Sequence, residues 1–345
     1  TTLYLNEYSG LQKDVNLRYI NRLEGESKIQ LQDENELKSL SNIVFPNKDF
    51  KSTFTKLDKK YEYETDVDFL EINALRDFSV KFHNIIKSIE KSEGIIFVFM
   101  ERIERGCIPL GLALERFGFS KFNGNDLFHG KTDKKLYINE NGELVRTKTK
   151  NPANYIIISG DRTISPNNIK EINVLRGDNN INGEQIKVVI GSPTVSEGLD
   201  FKRIREVHIM DPWYNLSKIE QIIGRGIRFC SHNDLPKEKR NVTVYLHAGY
   251  LDSHETIDYY IYKEAEKKAE QTGIVEKILK ENSIDCYINN DMNHIKKNDV
   301  TRVKQISSQN SVVFKKPFDQ PYTKICSFLD DCNINCNIQK IDKID

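Results

Sequence analysis

The chain has 345 residues, 38% apolar and 30% charged, with 51 Lys and Arg balanced by 51 Asp and Glu. That length can bury one or two ordinary cores, and no apolar run approaches the roughly 20 residues of a bilayer-spanning helix, which excludes a membrane protein of that kind. The charge balance gives no bulk argument for a nucleic-acid partner, so any such binding is local. The opening TTLYLNEYSG has no basic segment followed by an apolar one and does not read as a secretory signal. Six cysteines without regular spacing fit reduced thiols, and a cytosolic compartment is the default.

Residues 1 to about 75 mix charged helix-like pieces with SNIVFP and read as a linker or pre-core segment wrapping a domain. The pattern then changes. GIIFVFM (94–100), NYIIIS (154–159), IKVVIGS (186–192), EVHIMD (206–211) and VTVYLH (242–247) alternate with helix-like stretches near 107–117, 166–176 and 217–229. Near-continuous Val and Ile suits strands buried on both faces, and helices between them make parallel crossovers. The expectation is an α/β fold over 76–250, a parallel sheet with helices on both faces, carrying an insertion hairpin at about 121–150. Ligands of such sheets sit at strand carboxyl ends, so the loops after Ser159, Ser192 and Asp211 are the places to search. Residues 251–345 form an extension, helical over 253–282 and irregular after about 290.

Within the insertion, GNDLFHGKTDKK (124–135) resembles a phosphate-binding loop but fails its requirements. Five residues rather than four separate Gly124 from Gly130, and the sequence after Lys131 reads as two strands around Asn141-Gly142, a two-residue hairpin turn, with no helix to aim at a phosphate. HIMDPW lacks the second acid of an Asp-Glu metal-binding strand. The insertion reads as a solvated hairpin. Its Lys131, Lys134, Lys135, Arg146, Lys148 and Lys150 either track a phosphate backbone or simply solvate the surface. His208 and His247 fall in or at the ends of buried strands as core histidines, and Cys326, Cys332 and Cys336 lack a fourth ligand for zinc, so no metal site is expected.

The most informative stretch is SKIEQIIGRGIRF (217–229). Ser217 and Glu220 form an S-x-x-E capping box that starts a helix. At about 100° per residue, Ile219, Ile222, Ile223, Ile227 and Phe229 share one broad face, while Gln221, Arg225 and Arg228 share the opposite one. Gly224 and Gly226 each cost about 1 kcal/mol relative to alanine inside a helix, which points to close approach of backbone or ligand. One strand earlier, PTVSEGLDF sets Gly198 two positions before Asp200, a loop able to hold backbone groups and one carboxylate against a ribose or phosphate.

GSPTVSEGLD followed by QIIGRGIRFCSH resembles motifs V and VI of the second RecA-like domain of a superfamily 2 helicase, and the 94–119 region resembles motif IV. The RFCSH ending, LPKEKRNVTVYLH and the helix leading to IDCYIN are most similar to large-DNA-virus helicases related to poxvirus nucleoside triphosphate phosphohydrolase I and the early transcription factor small subunit. The resemblance covers about 75–290. It implies that Arg228 is an arginine finger and Arg225 its neighbour facing a γ-phosphate, with Gln221, Gly198 and Asp200 near the nucleotide. Ser192 and Thr194 match the side nearer a nucleic-acid backbone.

The resemblance further implies ATP as the nucleotide, with Mg2+ held by an N-terminal RecA-like domain not found in this sequence. It implies DNA or RNA as partner, a link to viral transcription machinery, and a location in infected-cell cytoplasm or the virion. The missing half leaves two expectations: a piece or split product whose ATP site is completed by the other domain, with this chain inactive alone, or a non-catalytic nucleic-acid-binding or scaffold subunit with a degenerate helicase domain.

Overall fold

A computed structural model, describing residues 1–23, 30–124, 126–130, 134–196, 199–289, 303–306, 312–315 and 321–336, turns the apolar runs into strands of one sheet. The chain begins with β1 (Thr2–Glu7), α1 (Gly10–Leu23), α2 (Leu31–Asn42), α3 (Phe50–Thr53) and a small antiparallel hairpin, β2 (Phe54–Leu57) with β3 (Lys60–Tyr63). The central segment follows as α4 (Ile72–Phe78), α5 (Val80–Lys91), β4 (Ile95–Phe99), α6 (Ile108–Phe117) and β5 (Ser120–Lys121). After the insertion strands β6 (Tyr137–Ile138) and β7 (Leu144–Val145) come β8 (Asn154–Ile158), α7 (Asn168–Arg176), β9 (Val188–Gly191), β10 (Ile204–Ile209), α8 (Leu216–Gly226) and β11 (Thr243–Tyr250). The described remainder holds α9 (Ile257–Glu281), α10 (Ile284–Ile288) and the strands β12 (Val303–Ile306) and β13 (Val312–Lys315). No described helix is long and apolar enough to cross a membrane.

Two compact units divide the chain: Thr1–Trp213 with Ser217–Ile261, and Tyr214–Leu216 with Tyr262–Asp345. The first holds a seven-stranded sheet in the order β1-β11-β10-β4-β9-β8-β5, every neighbouring pair parallel. β4, β8 and β9 are buried along their whole length, as their unbroken Val, Ile and Phe require once helices cover both faces. This is the RecA-like α/β fold.

The amino-terminal segment differs from the expected linker. β1 is an edge strand of the sheet, paired with β11 from Thr2–Tyr245 to Glu7–Tyr250. TLYLNE does not advertise this, because Leu3 and Leu5 remain 47% and 53% exposed and backbone hydrogen bonding to an otherwise open edge supplies the contact. The insertion also differs from a solvated hairpin. Leu136 and Ile138 are buried, and the connection from β6 to β7 runs through Asn139–Glu143, with the Asn139 side-chain oxygen accepting from the Asn141 and Glu143 N–H groups in place of a two-residue turn. Two buried ionisable groups fasten this region. The Glu115 carboxylate accepts from the N–H groups of Leu127 and Phe128 and the Tyr155 hydroxyl, with burial pushing its pKa up to about 7. Lys187, brought down to about 7 by burial, donates to the carbonyls of Ser92 and Gly142.

A buried polar cluster ties the amino-terminal segment to the carboxyl ends of β4 and β10. Lys81, 0% exposed, pairs with Asp258 and donates to the Met210 carbonyl at 3.0 Å and the Asn42 side-chain oxygen at 3.3 Å. Asp258 also accepts from the Ser41 hydroxyl and the Gly249 N–H. Asn42 donates to Asp211, whose other oxygen accepts from the Glu101 N–H. Burial raises the Asp211 carboxyl, and Lys81 opposes that rise. A charge pair this dry persists because the Lys81 ammonium finds an acceptor for each of its three N–H groups and Asp258 takes two further donors.

In the second unit, Lys277 pairs with Asp331 at 3.2 Å and Lys280 donates to the Ser327 hydroxyl at 2.7 Å. The expectation of reduced thiols is corrected here: Cys286 is bonded to Cys336 and Cys326 to Cys332, leaving Cys107 buried and Cys230 exposed as free thiols. The linear spacing hid the first pair, because the return of 321–336 to α10 brings residues 50 positions apart together; the second closes a local loop of separation 6.

The Lys81 cluster yields the first prediction. Lys81→Met leaves Asp258 buried without its cation and lowers unfolding free energy by about 3–5 kcal/mol, read as a lower urea midpoint at unchanged slope; adding Asp258→Asn recovers part of that loss.

Candidate functional site

Crossing from β10 to β11, α8 runs antiparallel to β10 and carries its last turn back to the amino end of that strand. Ile219 and Ile222 anchor the helix, 3% and 1% exposed. Gly226 sets how closely it lies on the sheet: a Cβ there would come within 2.8 Å of Val207 Cγ2 and 3.3 Å of Ile204 Cγ2. A Cβ at Gly224 meets nothing within 4 Å, so this glycine borders open space. The two glycines of GRG therefore answer to different demands, one to packing and one to an open face.

The helix is shorter than its periodicity predicts. It begins at Leu216, so Ser217 lies in the first turn rather than at the cap, and it ends at Gly226. Ile227 is 44% exposed and Phe229 99% exposed, so neither joins the buried face. The cause lies at the carboxyl end, where the Arg225 carbonyl accepts from the Phe201 N–H instead of a further helical donor. A turn follows, with Ser231 Oγ accepting from the Arg228 N–H and Cys230 at a φ of 63°.

This termination brings the arginines together differently from a helical stripe. Arg225, 15% exposed at its side chain, projects from the last turn of α8, whereas Arg228 projects from the turn beyond it. Both reach Asp200. Arg228 Nη1 lies 2.8 Å from Asp200 Oδ2, and Arg225 Nη1 lies 3.8 Å from Asp200 Oδ1 while donating to the Leu199 carbonyl at 3.3 Å. Gln221 is exposed one turn before Arg225, on the same helical face. Gly198 lies outside the described residues. Both guanidinium groups bear on one carboxylate at a half-exposed surface, an arrangement suited to an anion that displaces or joins Asp200.

Two arginines that sequence reasoning missed hold this arrangement. Arg176, at the end of α7, donates through Nε to the Asp200 carbonyl at 2.7 Å. Arg203, 2% exposed and at a φ of 61°, donates to the carboxylates of Asp234 and Asp178 and to the carbonyls of Arg176 and Gly177. Its backbone N–H donates to the Ser231 carbonyl at 3.0 Å, joining the turn after α8. Nothing in DFKRIREVHIM separates Arg203 from Lys202 and Arg205 beside it, so only its burial reveals it.

Ser192 and Thr194 lie elsewhere, at the carboxyl end of β9. Ser192 is buried, its N–H bonded to the Ile158 carbonyl at 3.0 Å and its hydroxyl 3.4 Å from Thr194 Oγ1; Thr194 is exposed. The loop after β8 touches them, since a Cβ on Gly160 would come within 3.2 Å of Thr194 Oγ1. The expectation that ligand loops follow Ser159, Ser192 and Asp211 therefore covers one edge of the sheet and misses the arginines at the other, while Asp211 belongs to the buried Lys81 cluster. His208 and His247 are 1% exposed and 3.0 Å apart, with His208 also bonded to Glu206. Lys131 lies outside the described residues. Among the described residues no group of three or more His, Cys, Asp or Glu side chains could hold a metal.

The sheet and its crossovers define a RecA-like domain of the helicase type, and residues 126–230 match the helicase conserved C-terminal domain. The chain is 34% identical over 252 residues to a protein of Acanthamoeba polyphaga mimivirus that carries the name of an ATP-dependent RNA helicase, an alignment covering 72% of this chain and 38% of that protein. It is 34% identical over 152 residues to nucleoside triphosphatase I of Amsacta moorei entomopoxvirus, covering 41% and 23% respectively. A homolog of a termination factor in African swine fever virus is 25% identical over 235 residues, covering 61% and 33%. The chain belongs to the superfamily 2 helicases of the large-DNA-virus type, as the second RecA-like domain. It spans about a third of the length of the curated relatives it matches.

The two glycines separate cleanly in an alanine test. Gly226→Ala forces a Cβ against Val207 and lowers stability by about 1–3 kcal/mol, whereas Gly224→Ala, in open space, raises it by about 0.5–1 kcal/mol. Guanidinium denaturation of both variants checks the sign of each shift.

Proposed function

We propose that this chain is the carboxyl-terminal motor half of an ATP-dependent helicase or nucleic-acid-dependent NTPase. It supplies Arg225 and Arg228 to an ATP site whose P-loop and Mg2+ ligands come from an N-terminal RecA-like domain, in cis or in trans. The single observation that carries this reading is the convergence of both arginines on Asp200, beside the open space at Gly224.

Hydrolysis breaks the bond between the β-γ bridging oxygen and the γ-phosphorus as water attacks, and negative charge builds on the transferred group. Guanidinium groups already held in place stabilise that charge without reorganisation at the moment of reaction, an effect of about 10³–10⁵ in rate for an arginine finger. Asp200 keeps the pair oriented while nucleotide is absent. When the γ-phosphate arrives between the domains, Arg228, the more exposed of the two, exchanges its carboxylate partner for phosphate oxygens. Gln221 borders the same nucleotide, and the motif resemblance assigns Gly198 to it as well. Ser192 and Thr194, at the other end of the sheet, face the backbone of a single strand of DNA or RNA. Closure of the two domains around ATP then moves that strand.

The names of the viral relatives, nucleoside triphosphatase I and a termination factor homolog, support a role in viral transcription within the infected cell.

The test is Arg228→Ala in the chain joined to its P-loop domain. Turnover with saturating nucleic acid falls by about 10³–10⁵ while nucleotide affinity stays within a few-fold. Unchanged turnover removes the assignment.

A further inference from the structure

The β2–β3 hairpin is a second basic feature of the first unit, unrelated to the arginine site. Its two-residue turn, Asp58-Lys59, is made possible by Asp58 at a φ of 56°, and it holds Lys59 and Lys60 exposed at the tip. Neither lysine has an ion pair among the described residues. The base is rigid: Phe54 and Tyr61 are 4% and 5% exposed, within an aromatic cluster that includes Phe45, Phe50 and Phe69. Tyr61 donates its N–H to the Leu127 carbonyl and accepts from the His129 N–H at 2.9 Å, and Leu127 is itself held by Glu115. The hairpin is thus fixed to the sheet through main-chain hydrogen bonds and a buried carboxylate.

Between this hairpin and the sheet lies a cavity of about 610 Å³, lined by Lys59, Lys60, Lys121, His129, Thr163 and Gly124 among others. That volume suits a nucleotide-sized group. Of the acids nearby, Asp126 accepts from the Lys121 N–H, Asp161 from the Thr163 N–H and hydroxyl, and Glu62 lies 3.9 Å from His129. On the hairpin itself Lys56, Lys59 and Lys60 outnumber Asp58 and Glu62. The chain itself links the cavity wall to the carboxyl end of β9. Gly160 abuts Thr194, and the Asp161–Thr163 turn leads from there to Thr163 in the cavity wall.

We infer that the cavity beneath the β2–β3 hairpin is a nucleic-acid subsite, in which Lys59 and Lys60 hold the phosphodiester backbone of the single strand leaving Thr194. This rests on the reading that Ser192 and Thr194 face nucleic acid. The hairpin extends the track of the strand away from the motor cleft and adds about two phosphate contacts to it, each released counterion contributing about 0.7 to the slope of log affinity against log salt on a single strand.

The experiment measures binding of the full chain to fluorescein-labelled dT20 and U20 by anisotropy between 50 and 300 mM salt. Lys59→Glu with Lys60→Glu weakens binding at least about tenfold at low salt and flattens the salt slope by about 1.4. The same charge change placed remotely, Lys13→Glu with Lys91→Glu, leaves the slope at the wild-type value. A loss on both oligomers assigns the subsite to the shared phosphodiester backbone, and a loss on one alone assigns it to that sugar. If the hairpin variant matches the remote control while Thr194→Glu weakens binding, the subsite is overturned and the Thr194 reading stands. If neither the hairpin variant nor Thr194→Glu alters binding, both are overturned.

Discussion

One buried guanidinium organises the arginine-bearing end of this domain. Arg203 draws together the end of α7, the entrance of β10 and the turn after α8 by donating to two carbonyls and two carboxylates while its own N–H caps Ser231. A charge that deeply buried is tolerated only with its donors satisfied. Satisfying them fixes the two segments that carry Asp200 and Arg228, and Arg176 adds a bond to the Asp200 carbonyl. The placement of the exposed arginines therefore follows from one that is hidden.

The steric counterpart is Gly226. With no Cβ, it lets α8 settle on Ile204 and Val207, and this close seating allows the Arg225 carbonyl to meet the Phe201 N–H and end the helix. Had the helix continued to Phe229, Arg225 and Arg228 would have stood on one stripe at helical spacing. Ending it early bends the chain so that both converge on a single carboxylate. An 11-residue helix at about 1.5 Å per residue also separates the ends of the sheet by roughly 16 Å. Ser192 and Thr194 lie at one end, and the arginine pair lies at the other. The two groups of side chains thus stand at opposite ends of one sheet.

The segment ahead of β4 serves this body in two ways. β1 closes the open edge beside β11, and the Lys81, Asn42 and Asp258 cluster locks α2 and α5 to the carboxyl ends of β4 and β10. The β2–β3 hairpin is anchored by its aromatic base and by the segment that Glu115 holds, so its lysines are presented from a firm support.

Sheet strands β4, β8, β9, β10 and β11 and the crossover helices were legible in the sequence, because strands with covered faces favour continuous apolar runs and these stand out against a charged chain, whereas the two-residue β5 carries no such run. Local motif spacing also singled out the GRG helix, Asp200 and both arginines, side chains that the fold then brings together. Pairing between distant segments was settled in three dimensions. The weakly apolar TLYLNE joined the sheet through main-chain bonds that no side-chain pattern encodes, and Cys286 met Cys336 because the chain folded back on itself. Arg203 and Lys81 were unreadable for the same reason: a charged residue is spelled identically on a surface and in a core, and burial depends on whether distant residues arrive to satisfy its donors.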